Sequence, residues 1–156
     1  MVTLRKSADG YGGNLLVVLT IDRSVRDAIV AHARRDHPDE ACGLVAGPVG
    51  ADRPERVIPM TNALRSMTQY DFEPGEKLRA YREMDDRDEE VVVVYHSHTA
   101  TEAYPSRTDV RFASQPASHY VLVSTRDPDE VEFRSFRIVD GGVTEEEVRV
   151  TESVPD

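Results

Sequence analysis

The sequence predicts a single α/β domain in which helices flank one mixed, curved β-sheet. Segments with helical periodicity alternate along the chain with short, β-branched apolar segments, which is the pattern of an α/β fold. The run Val91–Val94, closed by Tyr95, is typical of a central strand that is buried on both faces. The length of 156 residues suits one domain that buries close to ~70% of its unfolded surface.

The first elements follow an arm that we expect to be loosely held. Residues 1–13 are mixed in character and rich in glycine, which predicts weak order before the domain begins at residue 14. The apolar segment Leu15–Thr20 predicts a first strand. Apolar residues then recur at helical spacing, which predicts a helix from about Asp22 to Asp36 that Pro38 terminates.

A hairpin is predicted next. The apolar segment Cys42–Ala46 has the character of a buried strand, and the turn residues Gly47-Pro48-Val49-Gly50 lead from it towards a second strand at Arg56–Met60. A further short strand is predicted at Thr68–Phe72. Helix-forming residues from Glu76 to Met84, with a proline just before them, predict a second helix.

The rest of the chain continues the alternation. An acidic connector, Asp85–Glu90, leads into the valine strand, and Ser106 opens a third helix. Turn residues at Asp127-Pro128-Asp129 and Gly141-Gly142 then separate the last strands. These strands are predicted at Tyr120–Ser124, at Val131–Val139 and, as an edge strand, at Val143–Val150. The domain therefore spans residues 14–150, and residues 151–156 are expected to be a frayed tail.

The composition of the chain argues against some classes of binding partner and against secretion. The formal net charge is −10 without a stripe of Lys or Arg, which argues against nucleic acid and against an anionic membrane as partners. Cys42 is the only cysteine, so an internal disulfide cannot form and no secretory framework is indicated. The apolar stretch Leu15–Leu19 is too short for a signal-peptide core or a membrane span. We therefore expect a cytoplasmic protein.

Three residues with metal-ligand chemistry follow the valine strand. His96 and His98 are two residues apart and therefore point to the same face of that strand. Ser106-x-x-Asp109 is a capping-box pattern, which places Asp109 in a first helical turn that can lean back over the strand end. Two imidazoles and one carboxylate leave a coordination position for water, which is the arrangement of hydrolytic Zn²⁺ sites.

A carboxylate elsewhere could complete a hydrolytic mechanism. Glu40 lies at the mouth of the strand that begins at Cys42, and it is our candidate general base. Considered alone, Glu40 would be a solvated charge in a loop, and only its combination with the metal pattern favours the catalytic role.

These residues together resemble the signature of the JAMM (MPN-plus) zinc metallopeptidases. That signature is a Glu, then a distant His-x-His, then seven residues, then Ser-x-x-Asp. In this chain the matching residues, in order and spacing, are Glu40, His96, His98, Ser106 and Asp109. The resemblance implies a cytidine-deaminase-like arrangement of three layers with a curved mixed sheet, and Zn²⁺ as the cofactor. It also implies that Ser106 donates a hydrogen bond to the oxyanion, although a helix N-cap alone would explain this serine.

The likeness extends over most of the chain between about Ile21 and Val143. It is closest to an actinobacterial branch of the family, and the segments that carry it are 32–43, 58–63, 95–109 and 119–127. That branch releases cysteine from the Gly-Gly terminus of a ubiquitin-like sulfur-carrier protein, which is therefore the partner that the resemblance implies. Whether the chain acts as a monomer or a homodimer stays open.

Three alternative functions stay open beside cysteine release. A related enzyme could process the C-terminal extension of a sulfur carrier for another pathway, or remove a ubiquitin-like modifier from lysine side chains. A non-catalytic MPN scaffold is the third, and the complete set of five signature residues argues against it.

Other polar residues receive simpler interpretations. Ser97 should point away from the two histidines and serve packing or hydrogen bonding, and Cys42 should be a buried small residue rather than a nucleophile. The remaining histidines, His32, His37 and His119, have no ligand spacing and are expected at the surface or in support of the site. Candidates for a substrate groove are Asn62, Tyr70 and Phe72, and candidate cations for a leaving-group pocket are Arg65 and Arg107.

Overall fold

The computed structural model describes residues 17–152 of the protein. The predicted N-terminal arm, the start of the first predicted strand and most of the predicted C-terminal tail lie outside these residues. Within the described part of the chain, no helix is both long and apolar enough to cross a membrane.

One mixed sheet of seven strands forms the centre of the described fold. Its strands are β1 (Val18–Asp22), β2 (Cys42–Pro48), β3 (Arg56–Met60), β4 (Glu89–His98), β5 (His119–Ser124), β6 (Glu132–Val139) and β7 (Gly142–Thr151). The helices are α1 (Arg23–Asp36), α2 (Pro74–Asp86) and α3 (Arg107–Phe112). The strand order is β1-β7-β6-β5-β4-β2-β3. The pairs β1/β7 and β4/β5 are parallel, and the other neighbours are antiparallel.

Apolar side chains cover both faces of this sheet. On one face, α1 buries Val25 and Ile29 in a cluster with residues such as Val93 of the central strand. On the other face, α2 buries Ala80 and Met84 in a second cluster. The valine run of β4 contributes to both clusters, with Val92 and Val93 in the first and Val94 in the second. A register shift against β2 interrupts the strict alternation of its side chains at this point. The predicted α/β class, with helices flanking a curled mixed sheet, is confirmed.

Most predicted elements are found within a few residues of their expected bounds, and three details are wrong. The segment Thr68–Phe72 is not a strand, because only one bridge, between Asn62 and Phe72, joins it to another segment. Strand β7 is not at the edge, since β1 pairs with it in parallel along its outer side. The acidic connector Asp85–Glu90 is shorter than expected, because α2 continues to Asp86 and β4 begins at Glu89.

Candidate metal centre

The end of the central strand β4 carries the two histidines of the predicted metal pattern. His96 and His98 are 3% and 6% exposed, and both lie on the face of the sheet opposite Tyr95 and Ser97. Neighbouring strands hold this end of β4 on both sides, since β2 pairs with it antiparallel and β5 pairs with it parallel. The side chains therefore start from a rigid, central piece of backbone.

Helix α3 brings the third residue of the pattern, Asp109, to the same place. Ser106 caps the helix: its Oγ accepts from the Asp109 N–H at 3.0 Å, and its own N–H donates to Asp109 Oδ2 at 2.8 Å. This capping box fixes the carboxylate in the first turn. Asp109 Oδ2 lies 3.1 Å from His96 Nε2 and 3.0 Å from His98 Nε2. One ligand atom from each of the three residues lies within 4.8 Å of the others.

Burial and the electrostatic interactions among these three side chains shift their pKa values. Burial favours the neutral form of Asp109, but its interactions with the two imidazoles prevail and hold the pKa of this carboxyl well below its usual range. Burial lowers the pKa of His96. Burial has the same tendency for His98, but its contacts with Asp109 and the Glu102 carbonyl outweigh it and raise the pKa of this imidazole.

The arrangement has the donor chemistry and the unsatisfied atoms that a bound cation would require. His98 Nδ1 lies 2.9 Å from the Glu102 carbonyl and can donate to it, which directs the other ring nitrogen to Asp109. Among residues 17–152, neither ring nitrogen of His96 has a hydrogen-bond partner, because the 3.1 Å approach of Asp109 lacks hydrogen-bond geometry. A buried imidazole without a partner is costly. A divalent cation held by two imidazoles and a carboxylate would remove this cost.

Glu40 faces the same centre. The antiparallel register of β2 and β4 sets Cys42 opposite His96, and continuing it by two residues sets Glu40 opposite His98. Glu40 is 3% exposed, and its Oε1 has no hydrogen-bond partner among the described residues. Burial is the main cause that raises its pKa to about 8; the smaller effect of His98 lowers the pKa, and that of Asp109 raises it. A carboxylate of this kind can hold a proton near neutral pH.

The backbone of Glu40 is anchored to the loop between β3 and α2. Its N–H donates to the Ser66 carbonyl at 2.8 Å, and its carbonyl accepts from Asn62 Nδ2 at 3.0 Å. Asn62 is buried and also bonds to Gln69 within the loop. It therefore supports Glu40, which adds a role that the sequence did not indicate for this residue.

Tyr70 contacts the centre directly, which the sequence did not show. Its ring stacks on His96 with a centroid separation of 4.5 Å and an interplanar angle of 27°. Tyr70 and Phe72 also line a cavity of about 440 Å³ together with Asp109 and Phe112, which we call the Asp109 cavity. Both aromatic residues thus line a cavity beside Asp109, and its use as a substrate groove stays a prediction. No local pattern signals the stacking of Tyr70 on His96.

The other sequence interpretations have mixed outcomes. Ser97 is buried on the opposite face and accepts a hydrogen bond from the Ala41 N–H at 2.8 Å, as predicted. Cys42 is buried, and burial raises the pKa of its thiol to about 12, which agrees with an inert role. The surface interpretation is wrong for His32, which is buried against the Tyr95 hydroxyl.

The interpretation as a surface residue is also wrong for His119, which is 1% exposed. Its ring lies between Glu146, at 2.6 Å, and Asp52, at 2.8 Å, on the face of the sheet away from the metal centre. Only His37 of these three is exposed, with its ring 2.7 Å from the Thr125 hydroxyl.

Comparison with known proteins places these features in a family. Residues 22–139 match the model described as prokaryotic homologs of the JAB domain. A CysO-cysteine peptidase of Mycobacterium tuberculosis is 67% identical over 135 residues, covering 86% of this chain and 92% of the relative. A probable TtuB-protein conjugate cleaving protease of Thermus thermophilus is 34% identical over 105 residues, covering 67% of each chain.

A solved structure agrees with the sequence comparisons at the level of the fold. It is described as "JAMM: A Metalloprotease-like Zinc Site in the Proteasome and Signalosome", with 21% identity and a TM-score of 0.55. The alignment covers 86% of this chain and 99% of that one. By the extent of these matches, this chain belongs to the JAB/MPN domain family, in its prokaryotic branch.

Proposed function

We propose that this protein is a zinc-dependent peptidase that hydrolyses the amide bond between the C-terminal Gly-Gly of a ubiquitin-like sulfur carrier and cysteine. The observation that carries the proposal is the convergence of His96, His98 and Asp109 within 4.8 Å, with the buried carboxylate of Glu40 just before the neighbouring strand β2. The 67% identity to a CysO-cysteine peptidase supports the choice of carrier and of leaving group.

The proposed chemistry assigns one task to each residue. His96, His98 and Asp109 would hold the zinc ion, which when bound supplies Lewis acidity and lowers the pKa of water towards ~7. Glu40 takes a proton from the attacking water and transfers it to the amine as the carbon–nitrogen bond breaks. The carrier keeps the new carboxylate, and cysteine leaves as the free amine.

Ser106 is assigned to the oxyanion. Its Oγ accepts from the Asp109 N–H, and a hydroxyl that accepts one hydrogen bond still carries a hydrogen that it can donate. The hydroxyl therefore keeps a donor available at the edge of the centre, where negative charge develops on the substrate carbonyl oxygen.

The test separates metal binding from chemistry. We expect Glu40→Gln to retain about one zinc per chain and to lose nearly all release of cysteine, since an amide cannot accept the proton. His98→Ala should lose the zinc as well as the activity. Zinc content by mass spectrometry and free cysteine from the carrier adduct are the two readouts, and the exposed Asp127→Asn is the matched control. Undiminished zinc in His98→Ala would place the ligands elsewhere.

Cleavage of lysine-linked conjugates is the second candidate function. It is favoured by the similarity to a probable TtuB-protein conjugate cleaving protease. The two candidates differ in the leaving amine, because a lysine conjugate presents a long alkyl amine and the cysteine adduct presents an α-amine beside a carboxylate. Rates on a lysine-linked conjugate that equal or exceed those on the cysteine adduct would favour the second candidate.

A further inference from the structure

We propose that Arg65 binds the free α-carboxylate of the departing cysteine, and that the cavity beside Glu40 restricts the enzyme to removing a single C-terminal residue. This inference rests on the proposed function and names the leaving-group site for it. Asp109 and Glu40, which both face the candidate centre, line two different cavities.

The Asp109 cavity and a second cavity of about 500 Å³ share no lining residue. The second, which we call the Glu40 cavity, contains Glu40 together with Arg35, Asp36, Asp39 and Arg65 among its lining residues. In amide hydrolysis, the group that protonates the amine must lie beside the leaving side of the bond. The leaving residue therefore belongs in the Glu40 cavity, and the carrier tail belongs on the Asp109 side.

The loop between β3 and α2 separates the two cavities. Leu64 lines the Asp109 cavity, whereas the next residue, Arg65, lines the Glu40 cavity. The Arg65 N–H donates to the Asn62 carbonyl at 3.1 Å, and Arg65 has a positive φ of 48°. Asn62 and Ser66, on either side of it, both bond to the backbone of Glu40. Arg65 is thus held in a tight turn that is fastened to the proposed base.

Arg65 is the cation of this cavity that remains available to a ligand. Arg35 lies 3.6 Å from Asp36, whose carboxylate also contacts His32 at 3.0 Å. Within residues 17–152, Arg65 takes part in no ion pair. A planar guanidinium binds a carboxylate through two parallel hydrogen bonds, and this geometry also fixes the orientation of the ligand.

The chemistry of the leaving residue matches this environment. A C-terminal cysteine carries a carboxylate that a residue within a chain, or a lysine side chain in a conjugate, does not carry at that position. The acidic side chain of Asp39 repels a carboxylate unless a cation receives it, so Arg65 decides whether the free acid is accepted. Arg107, the other cation suggested by the sequence, lines neither cavity.

The experiment compares two forms of one substrate. The CysO protein of Mycobacterium tuberculosis, for which the 67% identical relative is named, serves as the carrier. It is prepared with a C-terminal cysteine either as the free acid or as the carboxamide, and kcat/KM is measured for both with zinc-loaded enzyme. We expect the wild type to prefer the acid by roughly tenfold, the size of one charge-assisted hydrogen bond at a partly hydrated site. Arg65→Gln should bring the ratio of the two rates close to one by slowing the acid alone, and Arg65→Lys should restore part of it.

Arg107→Gln is the matched control and should leave the ratio unchanged. The ratio does not depend on how much of a preparation is folded, because both substrates are cleaved by the same enzyme molecules. An undiminished preference for the acid in Arg65→Gln, or no preference in the wild type, would overturn the inference and leave the proposed function standing. Failure of the zinc-loaded wild type to cleave either form would refute the proposed function and this inference with it.

Discussion

Glu40 is a carboxylic acid kept in an environment that disfavours its charge. It is almost fully buried, and its Oε1 lacks a hydrogen-bond donor among the described residues. Because such a group is costly to ionise, burial raises its pKa to about 8. A carboxylate with a raised pKa takes a proton from water more readily than an ordinary surface carboxylate does, and it holds that proton until the amine accepts it. The burial of this carboxylate should also lower the stability of the folded, metal-free protein.

We therefore predict that, without metal, the Glu40→Gln variant becomes increasingly more stable than the wild type as pH rises. The folded-state pKa of Glu40 lies above its unfolded value of 4.5, so the unfolded chain loses this proton first. The stability of the wild type relative to the variant should fall between about pH 4.5 and pH 8 and stay constant above that. The difference should reach a few kcal/mol, measured by urea unfolding of chelator-treated proteins. A gap between the two proteins that is the same at pH 5 and at pH 8.5 would contradict this account.

Ser106 allows a catalytic role to be separated from a structural one. Ser106→Ala removes the hydroxyl, but the backbone N–H that donates to Asp109 Oδ2 remains, so the carboxylate should stay in place. We expect turnover to fall by ~10²–10³ if the hydroxyl serves the oxyanion. Loss of the cap alone should cost about 1 kcal/mol of stability. Ser106→Thr, which keeps a hydroxyl, is the control, and unchanged turnover in Ser106→Ala would leave this serine only as a cap.

The buried polar residues of the protein differ in how far sequence alone could identify them. His96, His98 and Asp109 are close in sequence, so strand alternation and one capping box are enough to predict that they meet. His119 could not be placed in this way, because its partners Asp52 and Glu146 are 67 and 27 residues away. Only the fold brings these three together, and nothing local distinguishes this buried histidine from one at the surface.

At the scale of elements, strands β2 and β4 depend on one small residue. Gly43 pairs with Tyr95 across the two strands, and the Tyr95 ring occupies the space that a side chain at position 43 would need. The Tyr95 hydroxyl in turn lies 2.6 Å from His32 Nδ1 of α1. Gly43 therefore allows the ring to lie across the sheet and to link β4 with the helix on that face.

Gly43→Ala should accordingly destabilise the protein. The added methyl group would overlap the Tyr95 ring, and a buried overlap of this kind costs roughly 1–3 kcal/mol. Denaturant unfolding of the zinc-loaded protein measures the loss. The control is Gly142→Ala, where the nearest atom would be 3.4 Å away and the change should stay within about 0.5 kcal/mol. Equal stability of the two variants would show that Tyr95 can move aside at little cost.

Elements with strong local patterns were predicted well, and those defined by distant partners were not. The valine run fixed β4 as a central strand because a segment that is apolar on both faces must be covered on both. The weak alternation of β7 suggested an edge strand. Its outer neighbour is β1, which is separated from it by most of the chain, and no pattern within β7 could reveal that parallel pairing.

At the scale of the whole molecule, the candidate metal centre is a small polar site beside a large apolar core. Among residues 17–152, the two core clusters on opposite faces of the sheet contain 13 and 12 buried residues. The centre itself lies at one end of the strands, where β4 ends. A fold with this much apolar burial does not depend on one ion in the way that a small zinc finger does. Zinc should therefore add to stability without being needed for folding.

We predict that zinc removal leaves a folded protein that unfolds in one cooperative transition, as expected if residues 14–150 form a single domain. The far-ultraviolet circular dichroism of the chelator-treated wild type and of His98→Ala should match that of the zinc-loaded protein. Zinc in thousandfold excess over its dissociation constant should stabilise the wild type by about 4 kcal/mol, since only the folded chain assembles the three ligands. His98→Ala should show almost none of this gain in a thermal melt. Loss of cooperative unfolding in the chelated wild type would mean that the ion is required to organise the sheet end, and an equal gain in His98→Ala would place the stabilising zinc at another site.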